Sequence, residues 1–104
     1  MNDDKMYAYI WEFIVKSEYK LRFEEEYGPA GRWAQLFGKA EGYIRTELFH
    51  DNLNPQKYIT IDYWKSRRYK NDFLLKFSDE YKMLDSECSE FTESERYIGE
   101  FDVT

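Results

Sequence analysis

Tyr7-Ala8-Tyr9-Ile10-Trp11-Glu12-Phe13-Ile14-Val15 decides the fold. Aromatic and β-branched residues fill it, which is strand chemistry. Tyr7, Tyr9, Trp11, Phe13 and Val15 share one face, and Ala8, Ile10, Glu12 and Ile14 share the other. Both faces are mostly apolar, so the strand is expected to be covered on both sides. The run carries Glu12 and follows Asp3 and Asp4, not a basic segment. It therefore reads as a strand and not as a signal peptide, with the cytoplasm as the expected compartment. No stretch approaches the ~20 apolar residues of a membrane helix.

Outward from this strand, Ser17 is a candidate N-cap. Tyr19, Phe23 and Tyr27 recur at helical spacing after it. Gly28-Pro29-Ala30-Gly31 bends or stops that helix, and Trp33, Leu36, Phe37 and Ala40 restart the spacing. Tyr43 to His50 is a second strand with Ile44, Thr46, Leu48 and His50 on one face. Asp51-Asn52-Leu53-Asn54-Pro55 is a turn. Lys57 to Trp64 is a third strand, hairpin-paired with the second, with Tyr58, Thr60, Asp62 and Trp64 on one face. Ser66 caps a long helix whose stripe is Tyr69, Phe73, Phe77, Tyr81, Leu84, Cys88 and Phe91, bent near Ser78-Asp79. A last strand runs from about Arg96 to Val103, with Tyr97, Gly99, Phe101 and Val103 on one face.

The order β-α-β-β-α-β is the α+β, ferredoxin-like arrangement, an antiparallel sheet with both helices on one face. The whole chain, residues 1–104, reads as a single domain. One helical layer leaves the other face of the first strand open. The expectation is a homodimer built through that open sheet face.

Composition narrows the function. The chain has a net charge of -6, so nucleic acid is not an expected partner. Aromatic residues make up 20%, which supplies both a core and the walls of a pocket. One cysteine and one histidine exclude a disulfide framework, a Cys-rich zinc site and any metal site needing two imidazoles. Gly28 and Gly31 match no nucleotide-binding loop. Neither a metal nor a cofactor is expected.

The hairpin end Ile61-Asp62-Tyr63-Trp64-Lys65-Ser66, with its Trp-x-Ser pair, resembles the antibiotic biosynthesis monooxygenase-like family of the dimeric α+β barrel superfamily. Further resemblance lies in Tyr27-Gly28-Pro29-Ala30-Gly31-Arg32-Trp33-Ala34-Gln35-Leu36-Phe37, in Gly42-Tyr43-Ile44 with Thr46-Glu47-Leu48, and in Tyr81 with Leu84-Asp85. It implies a sheet-to-sheet dimer with a pocket between sheet and helices in each subunit. Some members oxidise phenolic polycyclic substrates with O2 and no metal or flavin, others degrade haem, and many have no known activity. Haem-degrading members use a histidine on the second helix. This chain has no histidine from Trp64 to Thr104, and Phe73 stands where many oxygenase-like members carry one. The resemblance therefore implies a cofactor-independent monooxygenase acting on an electron-rich aromatic or polyketide-like molecule. The alternative is a non-catalytic small-molecule binder or structural homodimer module.

The catalytic candidates are Trp64 as hydrogen-bond donor, Asp62 as base and Tyr81 as donor. A buried carboxylate needs a partner or a raised pKa, so Asp62 is either an ion-paired structural residue or a base for a phenol. The ligand-binding candidates are Trp33, Phe37, Tyr69, Phe73, Phe77, Tyr58 and Glu12. For Glu12 the competing role is an ion pair with Arg45 or Arg96. His50, at a strand end, is a minor acid-base candidate, and Cys88 reads as a small buried residue.

Overall fold

The computed structural model describes residues 5–104. Strand β1 (Tyr7–Val15) leads through a short 3-10 turn (Ser17–Tyr19) into α1 (Lys20–Tyr27) and α2 (Arg32–Phe37). The hairpin β2 (Tyr43–His50) and β3 (Lys57–Trp64) follows, then α3 (Arg67–Lys76) and α4 (Ser78–Cys88). A second 3-10 turn (Ser89–Phe91) leads into β4 (Thr92–Asp102). The sheet order is β2-β3-β1-β4, antiparallel throughout. This is the α+β, ferredoxin-like β-α-β-β-α-β arrangement, with each helical region here made of two helices.

The alternation read in β1 and β3 places their helix-facing residues. Phe13 lies against Phe23 and Tyr27 of α1, with ring centroids 5.2 and 5.1 Å apart. Tyr58 and Trp64 are 1% exposed, whereas Ile59, Ile61 and Tyr63 on the opposite parity are half-buried. The core is a run of aromatic edges and faces: Phe23–Tyr27, Phe37–Phe73, Phe37–Trp64 and Trp64–Phe73 all lie within 6 Å. Ring pairs at such spacing add to what area burial alone contributes.

Local differences from the expected elements have physical causes. Ser17 does not cap α1; it opens the 3-10 turn, and the helix begins at Lys20. Ser66 occupies the N-cap position of α3 but makes no side-chain cap bond, and it is 3% exposed. The long helix is interrupted at Phe77 (φ -113°, ψ 26°), one residue before the expected bend. β4 begins at Thr92, four residues before the expected start at Arg96.

Three register shifts interrupt the sheet, and two of them bear on the site, since one extra residue inverts strand parity. In β2, Tyr43 pairs with Trp64 and Arg45 with Tyr63, so Ile44 is the extra residue. Tyr43, not Ile44, joins Thr46 on the helix side, and its ring is 5.4 Å from Trp64. In β4, Ile10 pairs with Gly99 and Trp11 with Tyr97, which leaves Ile98 as the extra residue. Tyr97 consequently packs at 5.3 Å from Trp11 on the helix side, while Phe101 pairs with Ala8 across the open face. Gly99 takes φ 152° at this bulge, a conformation that L side chains rarely adopt.

Candidate functional site

Between the sheet and the helices lies a cavity of about 180 Å³. The sheet contributes Tyr9, Trp11 and Phe13 from β1, Thr46 from β2, Thr60 and Asp62 from β3, and Glu95 from β4. The helices close it with Tyr27, Trp33, Phe37, Tyr81 and Asp85. Register assembles the polar part. Tyr9 and Thr46 flank Asp62 from the two neighbouring strands, and Trp11 lies opposite Thr60.

Asp62 is 6% exposed. The Thr46 hydroxyl donates to its Oδ1 at 2.6 Å. That uses the only proton of Thr46, so the Tyr43 hydroxyl donates to Thr46 Oγ1, also at 2.6 Å. No Lys, Arg or His lines the cavity. Desolvation therefore dominates over the Thr46 bond and pushes the Asp62 carboxyl up to about 7. The ion pair considered for Asp62 from sequence is not formed. Lys70 of α3, buried on the same side of the sheet, is taken up by rings, with Nζ 4.6 Å from the Tyr9 ring centroid and 5.6 Å from that of Tyr7.

Tyr81 lines the cavity with a hydroxyl that has no protein hydrogen-bond partner among the described residues. Burial, and after it the negative groups around it, hold its phenol above the ordinary range, so the hydroxyl keeps its proton at neutral pH. Burial does the same to Tyr27. The indole Nε1 of Trp33 is buried without a hydrogen-bond partner. Asp85 and Glu95 are exposed and mark the mouth. Burial, and then the charge of Asp85, raise the Glu95 carboxyl above its usual range.

Four residues singled out from sequence meet in this cavity: Asp62, Tyr81, Trp33 and Phe37. The others do not line it. Trp64 is 1% exposed and packs against Phe37, Tyr43 and Phe73. It alternates in register with Asp62 but sits at the strand end, beneath α3, and Phe37 stands beside it. Phe73 belongs to that same cluster, and Phe77 stacks on Phe73 at 5.5 Å. Tyr69 covers Gly42, which has φ 89°. Tyr58 lies at the far end of β3, where its hydroxyl donates to Glu24 and its ring stacks on His50 at 4.3 Å. Glu12 points to the opposite face of the sheet, as its parity requires. There Arg96 Nη2 donates to it at 3.1 Å and Lys57 Nζ approaches to 3.4 Å. His50 Nε2 donates to the Pro55 carbonyl at 2.7 Å and is not in the cavity. Cys88 is buried.

Sequence reasoning missed Tyr9, Trp11, Phe13, Tyr27, Thr46, Thr60, Asp85 and Glu95. The available signal was strand register: residues of β1 with the parity of Phe13 must neighbour Asp62 and Thr60 once β1 pairs with β3. Among the described residues no cluster of His, Cys, Asp and Glu could hold a metal ion, and no helix is long and apolar enough to cross a membrane.

Comparison with known proteins places the fold in a defined class. No family model and no curated protein matches the sequence. The chain does superpose on a protein from Nitrosomonas europaea proposed to be an antibiotic biosynthesis monooxygenase, with TM-score 0.74 and 14% identity over 99% of this chain and 94% of that one. A protein with the same proposed activity from Bordetella bronchiseptica gives 0.74 and 18%, over 96% and 98% of the two chains. SnoaB, a cofactor-independent oxygenase from Streptomyces nogalater, gives 0.66 and 17%, over 96% and 94%. At these identities the likeness is one of fold.

Proposed function

We propose that the chain is a cofactor-independent oxygenase of an electron-rich phenolic aromatic. The observation that carries this reading is Asp62: a carboxyl without a cationic partner, set in an aromatic cavity and poised near neutral pH. A base with that affinity accepts a phenol proton at modest cost. The phenolate formed transfers an electron to O2, and the radical pair combines at a ring carbon to give a hydroperoxide. Loss of water leaves a carbonyl, so a ring CH2 plus O2 becomes C=O plus H2O, and the proton returns through Asp62. The substrate supplies all the electrons. In this reading Tyr81 and Thr60, both in the cavity lining, donate to the developing oxyanion, and the aromatic walls exclude water.

The test is oxygen uptake with a panel of anthrones and hydroquinones. Asp62→Asn is expected to lower kcat/KM by roughly 10²-fold or more. Equal rates for the two proteins remove Asp62 from the mechanism. The second reading, a binder without turnover, is favoured by Asp62 being the single buried carboxyl of the cavity, with no second acid beside it. Saturable binding without oxygen uptake across the panel would establish it.

The reading includes a homodimer through the open sheet face. Ile10, Ile14, Ile59, Ile61 and Tyr63 are only half-buried there, and Phe49 and Phe101 are 50% and 49% exposed. A second copy matches this face by two-fold symmetry.

A further inference from the structure

We propose that the cavity selects a substrate bearing a protonated amine: the aromatic ring lies among Trp11, Trp33 and Tyr81, and the ammonium sits at the mouth between Asp85 and Glu95. The inference rests on reading the cavity as a substrate site and adds the substrate's charge class. Three carboxyl groups line the cavity, one at its floor and two at its mouth, and no Lys, Arg or His faces them. Seven aromatic rings make up most of the remaining wall: Tyr9, Trp11, Phe13, Tyr27, Trp33, Phe37 and Tyr81. Ring faces carry partial negative charge and attract cations. The two carboxylates at the mouth therefore favour a positive group there and oppose a negative one, and the ring faces not already covered by Lys70, which lies over Tyr9, add to that preference.

The mouth gives the location. Asp85 on α4 and Glu95 on β4 reach the same opening from opposite sides. Each has no ion-pair partner among the described residues, whereas Glu12, Glu26, Glu87 and Glu100 do. Desolvation first, and the charge of Asp85 second, raise the Glu95 carboxyl, so the two acids repel each other across the opening. A cation placed between them relieves that repulsion. The volume of about 180 Å³ lies below the ~300–1,000 Å³ of pockets for drug-sized ligands, which fits a compact aromatic molecule.

The test uses three hydroquinones with side chains of similar length: 2-(2,5-dihydroxyphenyl)ethylamine, ethylhydroquinone and 3-(2,5-dihydroxyphenyl)propanoate. Binding is read anaerobically from quenching of tryptophan fluorescence, since Trp11 and Trp33 form the wall. The amine is expected to bind at least about tenfold more tightly than the carboxylate, with the neutral compound between them. In the double variant Asp85→Asn, Glu95→Gln that order is expected to collapse to within about twofold. Both side chains are exposed, and circular dichroism checks that the variant is folded. Equal or tighter binding of the carboxylate, the same order in the double variant, or no binding by any of the three overturns the proposal. Admitting air then separates the two ideas. Ordered binding without oxygen uptake sinks the oxygenase and leaves the charge selection standing, while uptake with no preference for the amine does the reverse.

Discussion

Asp62 and Trp64 stand two apart on one strand face and have different duties. The folded-state carboxyl of Asp62 is raised to about 7, above its ordinary value of 3.8. An acid raised in this way binds more protons in the folded state than in the unfolded one. Its favourable contribution is complete below about pH 4 and is lost as pH rises through about 7. Asp62→Asn keeps an acceptor for Thr46 and removes the charge. The variant is expected to be more stable than the parent at pH 8 by roughly 2–4 kcal/mol and little changed at pH 4, read from urea melts at both values. A parent protein whose stability is flat across that range would refute the assignment. If Asp62 is the base, activity rises with pH through the same interval. Trp64, by contrast, is core. Trp64→Phe is expected to cost about 1–3 kcal/mol in denaturant melts while ligand affinity stays within about twofold. A large loss of affinity in a protein of normal stability would put Trp64 back in the site.

At the scale of elements, two backbone positions hold the site's frame. Gly42 has φ 89° at the entrance to β2, and a side chain there would meet the Tyr69 ring of α3. Gly42→Ala is therefore expected to lower stability by about 2–3 kcal/mol, measured by thermal melting, through both strain and collision. The bulge at Ile98 sends Tyr97 inward beside Trp11, and Gly99 permits it. These features mark the boundary of what the sequence made legible. Alternation in β1 and β3 and the helical stripe from Tyr69 to Tyr81 were readable, because unbroken periodicity reports which side faces the core. The extra residues Ile44 and Ile98 were not. The bulge at Ile44 leaves no compositional mark in its strand, and Gly99 hints at the one beside it without giving its register, yet each inverts the parity of everything beyond it. For the same reason Asp62, Trp33, Phe37 and Tyr81 could be named from their own elements, while Thr46 and Glu95 reach the cavity only through strand pairing.

At the scale of the whole molecule, helices cover one side of the sheet and leave a field of Ile, Phe and Tyr on the other. In its midst Glu12 holds Arg96 and Lys57. Proximity to Arg96, more than to Lys57, keeps the Glu12 carboxyl below its usual range. Ile61→Asp is expected to yield a monomer by sedimentation at micromolar concentration if a second copy covers this face, because an unpaired carboxylate in the interface is costly. An unchanged sedimentation coefficient would show that the face has another partner or none.

The interruption at Phe77 divides the second helical region into two pieces with different supports. α3 is clamped by Tyr69 on Gly42 and by Phe73 on Trp64, whereas α4 buries Leu84 and Cys88 and sets Tyr81 against Trp33 of α2. Tyr81 and Asp85 both lie on the second piece. A ligand wall built half on the sheet and half on this piece puts its two sides on supports of different firmness, and amide exchange along 78–88 is expected to outrun that along 67–76.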